Sequence, residues 1–246
     1  MKKLLTLTCI VALSHSSQAA ITNLELGLSR ADSGSRSFTN LGSLINTGET
    51  TSDGGNPQSS VYQISGLTLD SVGTADDSIT LTLTLTGTGS AAIAGHGASF
   101  SYWGVNDGSG SASLVDEDES LAFAIGPISV NLGAGAVETA QATFLGFKGF
   151  GALNVATGET FDITGTTNNN ATNVDAKGLP NDTSDTNVEL YNFSGYEQGF
   201  TIAANSGAMR YGRVLTDIRI ETTAIPEPSS CALLSLAGLT LLRRKR

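Results

Sequence analysis

A chain of 246 residues with 13 Lys/Arg against 23 Asp/Glu carries a formal net charge of −10, holds 29 glycines and draws only 6% of its residues from the aromatics. Such an acidic surface repels phosphate backbones and anionic lipid headgroups, which disfavours nucleic acid and direct membrane-surface binding. Cysteine is confined to Cys9 and Cys231 near the two ends, so the middle has neither a disulfide framework nor thiol chemistry, and a domain of about 200 residues can bury enough surface without either.

The chain opens MKKLLTLTCIVALSHSSQAA: two lysines, an apolar run from Leu4 to Leu13, then small polar residues. This is the layout of a secretory signal peptide. Ser17 and Ala19 stand where a signal peptidase requires small side chains, so cleavage is expected between Ala19 and Ala20, with residues 1–19 as the leader. Cys9 lies inside the apolar run and follows Thr8, which argues against a lipid-modified cysteine. Without the leader and the tail, residues 20–225 hold seven Lys/Arg and 22 Asp/Glu, a net charge of −15.

Period-two alternation dominates the middle of the chain. Ile64–Leu69 (ISGLTL) is the first expected strand. After the turn DSVGTADD comes Ser78–Thr86, in which Ile79, Leu81, Leu83 and Leu85 alternate with threonines. That alternation places the aliphatic side chains on one face and the β-branched polar ones on the other, a half-buried antiparallel strand. Ser99–Trp103 is next, then Leu121–Ile125 and Ile128–Leu132, separated by Gly126 and Pro127, a pair expected to end one strand and redirect the chain. Further strands are expected at Ala140–Phe147, Thr160–Thr164, Val188–Phe193, Gly199–Ala203 and Leu215–Thr222. Gly165–Asn187 is nearly devoid of apolar residues and reads as one long loop, mobile or decorated. Asn170, Asn181 and Asn192 each open an Asn-x-Ser/Thr triplet.

No apolar stripe at helical spacing persists over three turns between residues 21 and 222. Short strands with Gly-, Ser-, Asn- and Asp-rich turns bury their apolar faces by packing two sheets together. The expected fold of residues 20–223 is therefore all-β, a single antiparallel β-sandwich of jelly-roll type. A closed barrel is the less favoured alternative. A transmembrane barrel needs aromatic girdles that 6% aromatics do not supply.

Little in this domain carries chemistry. Once the leader is removed, His96 is the only imidazole, too few for a zinc centre, and no serine sits in a nucleophile elbow. The glycine-rich runs GTGSAAIAGHG and GFKGFGALN match no phosphate loop and are expected to supply turns and bulges. Oxygen-rich turns can hold Ca²⁺, which makes Asp107, Asp116 and Asp118 a candidate structural calcium site, set against the plainer reading of a solvated acidic turn. No other cofactor and no catalytic residue is expected. Trp103 with Tyr102, and the group Tyr191, Phe193 and Tyr196, are the aromatics on which a sugar could stack, although a strand tryptophan is more commonly core.

The C-terminus, residues 224–246, is the most specific feature. Pro226 and Pro228 hold Glu227 on a stiff extended segment. Fourteen uncharged residues come after it, Ser229–Leu242; as a helix they span roughly 21 Å, short of the ~30 Å hydrocarbon core. Arg243, Arg244, Lys245 and Arg246 then fix the cytoplasmic side and stop transfer. Pro226-Glu227-Pro228, the apolar run and the four cations, in that order and together with an N-terminal leader, closely resemble the PEP-CTERM sorting signal of Gram-negative bacteria. The resemblance implies recognition by an exosortase in the inner membrane, cleavage near the motif, transient anchoring by a short transmembrane helix, and passage to the cell surface or extracellular matrix. Two functions are therefore expected as alternatives. One is a non-catalytic surface or matrix protein; the other is a secreted carbohydrate-binding module on the same tail, with extracellular polysaccharide as its partner.

Overall fold

The threonine-lined stretch forms the strand its alternation requires. In β4 (Asp77–Gly87) Ile79, Leu81, Leu83 and Leu85 are fully buried, while Thr80, Thr82 and Thr84 face outward. Around it, a computed structural model describes residues 20–29, 45–48, 55–71, 73–88, 92–95, 102–106, 114–136, 138–153, 155–167, 169–180 and 188–225. The other strands are β1 (Ala20–Ser29), β2 (Ile45–Gly48), β3 (Gln58–Leu67), β5 (Ala92–Gly95), β6 (Trp103–Asn106), β7 (Ser120–Asn131), β8 (Glu138–Leu153), β9 (Thr160–Gly165), β10 (Asn170–Asp175), β11 (Val188–Glu197), β12 (Gly199–Ser206) and β13 (Arg210–Ala224).

These strands make two sheets. One has the order β11-β8-β13-β1-β2, with β6 pairing β13 and β5; the other runs β10-β9-β12-β7-β4-β3. The all-β class and the antiparallel sheets are as the sequence implies, with one exception: β1 and β2 are parallel. The sheets meet in a shared apolar core. Its centre is aromatic, with Phe150 and Phe147 of the first sheet against Phe200 of the second at 5.7 and 5.1 Å, and Phe150 against Phe161 at 5.5 Å between ring centroids. Edge-on and offset ring pairs of this kind add to the stabilisation from burial alone.

Two expectations about chain breaks are corrected. Gly126–Pro127 does not end a strand, because β7 runs through it from Ser120 to Asn131. The register passes from Leu81↔Ile128 to Leu83↔Ile125, so Gly126 and Pro127 together oppose Thr82. That two-against-one arrangement is a β-bulge, where a residue without an N–H costs the ladder little. Gly165–Asn187 is not a single loop either. It contains β10, paired antiparallel with β9, and a 3-10 turn at Ala176–Gly178.

Strand edges also shift. The first expected strand at Ile64–Leu69 is β3, which begins at Gln58 and ends at Leu67. Strands β1, β2 and β5 lie outside the expected ones, although Leu24, Leu26 and Leu28 of β1 alternate with Glu25, Gly27 and Ser29. Among the described residues no helix is long and apolar enough to cross a membrane; the leader, the motif Pro226-Glu227-Pro228, the apolar run and the cations Arg243–Arg246 lie outside them.

A buried carboxylate holds the corner between the sheets. Asp77 is fully buried and accepts hydrogen bonds from the backbone N–H groups of Leu69 (2.5 Å), Asp70 (3.2 Å) and Gly133 (2.9 Å). Burial by itself pushes its carboxyl upward, but these three donors outweigh it and hold the group below its ordinary value. Asp76 beside it accepts from the Ala134 N–H at 3.1 Å. Together they tie the β3–β4 turn to the β7–β8 turn, through which the chain crosses from one sheet to the other.

Candidate functional site

The run GFKGFGA lies inside β8, where its glycines let β11 come close. A Cβ on Gly151 would lie 2.7 Å from Val188 Cγ1, and one on Gly146 would lie 2.6 Å from Tyr196 Cβ and 3.1 Å from Tyr196 Cγ. Gly146 also has φ +148°, a conformation that L side chains rarely adopt. The bulges expected of these glycines are present too: between β8 and β13 the register slips at Leu215/Thr216 and again at Asp217/Ile218.

Against this strand β11 is strongly irregular. Its register passes from Asn192↔Gly149 to Glu197↔Phe147, so Phe193–Tyr196 stand out from the ladder. Hydrogen bonds fix the protruding segment. Asn169 Oδ1 accepts from the Ser194 N–H (2.9 Å) and the Ser194 hydroxyl (2.8 Å), while Asn169 Nδ2 donates to Glu197 Oε1 at 2.6 Å. Gln198 Nε2 donates to the Leu145 carbonyl at 2.9 Å. Glu197 is fully buried and also accepts from the backbone N–H groups of Thr167 and Asn169.

The result is an open groove of about 220 Å³ lined by Lys148, Asn192, Phe193, Ser194, Gly195 and Tyr196. The Tyr196 side chain passes over Gly146, and its hydroxyl donates to Asp217 Oδ2 on β13 at 2.6 Å. Gly146 and Asp217 are register partners on adjacent strands. The phenol thus reaches laterally across the sheet instead of standing away from it, and 45% of Tyr196 is exposed. The hydrogen bond to Asp217, together with partial desolvation, raises the phenol above its ordinary value. Lys148 pairs with Glu25 of β1 and lies 3.7 Å from Asp217 Oδ2. Asp217 is only 8% exposed, and its Oδ1 has no hydrogen-bond partner.

The other residues singled out by sequence fare differently. Trp103 and Tyr102 are buried. Trp103 packs edge-on against Phe123 at 5.9 Å, and Tyr102 joins Leu153 and Val188 with the Arg210 guanidinium 5.0 Å from its ring centroid. Tyr191 and Phe193 are half-buried against Phe150. Of the expected sugar-stacking aromatics, Tyr196 is the one displayed to solvent. Asp116 and Asp118 sit in one tight turn, where Glu119 Oε2 accepts from the Asp116 N–H at 2.8 Å and Asp118 has φ 70°. Asp107 lies outside the described residues, as does His96. Among the described residues no group of three His, Cys, Asp or Glu side chains is disposed to hold a metal ion. Lys148, Asp217 and Glu25 were not foreseen as site residues; only strand pairing brings them together.

A second depression, lined by Thr139, Ala140, Gln141, Glu221 and Thr223, lies where β13 ends. Comparison with protein-family models, with curated proteins and with solved structures found no match to this chain.

Proposed function

We propose that this chain is a non-catalytic exported protein of the cell surface or extracellular matrix, addressed by a cleaved leader and a C-terminal PEP-type sorting tail. The observation that carries the reading is the order of parts in that tail: Pro226-Glu227-Pro228, a short apolar run, then Arg243, Arg244, Lys245 and Arg246. The fold adds support at the C-terminal boundary: β13 ends at Ala224, two residues before the motif. Ala20 is paired with Thr222, so both junctions lie at the same end of the domain, where Ile21 and Ile225 are exposed. A signal peptidase and an exosortase, both membrane enzymes, reach such junctions without unfolding the sheets.

We further read the topology as a jelly roll. The path β1-β13-β8-β11 faces β7-β12-β9-β10, with β2, β3 and β4 added at the edges, and this interleaving of two four-stranded sheets is the jelly-roll pattern. The fold by itself assigns no activity.

The sorting reading is tested by expressing Glu227→Ala, and separately a variant with all four terminal cations changed to Gln, in a Gram-negative host that carries an exosortase. The intact mass and compartment of each product are then measured. The parent chain is expected to be released at a mass lacking both ends, and each variant to be held in the inner membrane with its tail uncut. Normal release of both variants would refute the assignment.

A further inference from the structure

We infer that the groove between the protruding part of β11 and the β8–β13 pair is a binding subsite for a neutral sugar ring of a polysaccharide, with Tyr196 as its stacking platform. This goes beyond the sorting reading and stands or falls separately from it.

The first argument is geometric. A sugar ring has an apolar C–H face and an equatorial rim of hydroxyls, and it is recognised by a flat aromatic surface flanked by hydrogen-bonding groups. Tyr196 supplies such a surface. Its stem lies over Gly146, where a Cβ would collide, and its hydroxyl is tied to Asp217 one strand further across. A ring anchored at both ends along the sheet leaves a face open, and 45% of the residue is exposed.

The second argument concerns what surrounds that surface. The Asn192 amide and the Lys148 ammonium line the same groove of about 220 Å³, room for a single sugar ring. Beside them Asp217 Oδ2, which accepts from the Tyr196 hydroxyl, lies 3.7 Å from the ammonium. Hydroxyls need this mixture of donors and acceptors at short range.

The third argument is preorganisation. The Asn169 bonds to Ser194 and Glu197, and the Gln198 bond to the Leu145 carbonyl, hold the groove wall in place before any ligand arrives. Little ordering is then left to oppose binding.

Charge selects the class of sugar. Lys148 already faces both Glu25 and Asp217, leaving an excess of negative charge at the site. Residues 20–225 as a whole carry 22 acids against seven bases. Uronate and sulfated glycans are repelled by that field, while neutral hexose and pentose polymers are not.

The test is isothermal titration of the full chain, held in a zwitterionic detergent that contains no sugar. Cello-, laminari-, malto-, manno- and xylohexaose serve as neutral probes, and an oligouronate serves as the acidic comparator. Saturable binding of at least one neutral probe is expected, with none for the uronate. Tyr196→Ala is expected to weaken that binding by about tenfold or more. Should Tyr196→Ala melt at a lower temperature than the parent, Asn192→Ala decides; it alters an exposed side chain and is expected to weaken binding by about threefold. Failure of every neutral probe, binding of the uronate alone, or an unchanged Kd in the properly folded variant would overturn the inference.

Discussion

The outer faces of the two sheets are built on opposite plans. On β4 the threonines Thr80, Thr82, Thr84 and Thr86 stand in a regular row above an unbroken aliphatic face. On the other sheet, β8, β11 and β13 are interrupted by register slips, and the face they present carries Lys148, Asp217 and Tyr196, beside Glu25 of β1. Strict alternation gives a sheet its core but leaves its solvent side uniform. A slip of register re-aims side chains, and it is there that a groove forms. On these two faces the unbroken alternation of β4 belongs to stability, and the slips of β8, β11 and β13 to the candidate site.

The largest expected effect breaks the regular side. Leu83 is fully buried in the middle of β4, so Leu83→Ala removes packed volume that its neighbours cannot refill. It should lower stability by about 2–5 kcal/mol. Urea unfolding would register this as a lower midpoint, while oligosaccharide affinity below the transition stays that of the parent. A loss of affinity at full folding would mean that the two faces are coupled.

The second variant breaks the irregular side. Gly146→Val puts a branched side chain at φ +148°, against Tyr196. The backbone strain and the displaced phenol should together cost about 1–3 kcal/mol. Sugar binding should be lost together with the Tyr196–Asp217 hydrogen bond. The pair of variants separates the faces: one lowers stability and spares the groove, while the other damages the groove in a domain that still folds.

How much of this was legible in the sequence divides along the same line. Strand β4 could be read residue by residue because its period is two without exception. Gly126–Pro127 misled because glycine and proline signal a break, while a bulge opposite Thr82 accommodates both within one continuous strand. β10 was hidden by its composition: Asn170–Asp175 is a polar edge strand, and only Ala171 and Val174 pack against the core. Tyr196 could be noticed as one of a cluster of aromatics. Its partners could not, since Asp217, Lys148 and Glu25 lie on three other strands and meet only through long-range pairing. Local pattern reports which way a side chain points within its own strand, not which side chains from other strands stand beside it.

The smallest effect sharpens the comparison at the corner where one sheet passes to the other. Asp77 opens β4, and its Oδ1 accepts from Gly133 in the turn between β7 and β8, while Oδ2 accepts from Leu69 and Asp70. These donors hold its folded-state carboxyl below the ordinary value of 3.8. A depressed folded value means that the folded state favours the charged form, so the contribution is fully present above the unfolded value. It is lost as pH falls through the folded value. In Asp77→Asn, either orientation of the amide sets an NH₂ against a backbone N–H, with an expected cost of about 1–2 kcal/mol at neutral pH. Because the amide does not titrate, the difference between parent and variant should shrink as the pH is lowered below about 4. Urea midpoints measured from pH 7 down to pH 2 check this. A gap that stays constant across that range would show that Asp77 acts through its shape alone, and that the corner between the two sheets is not held by charge.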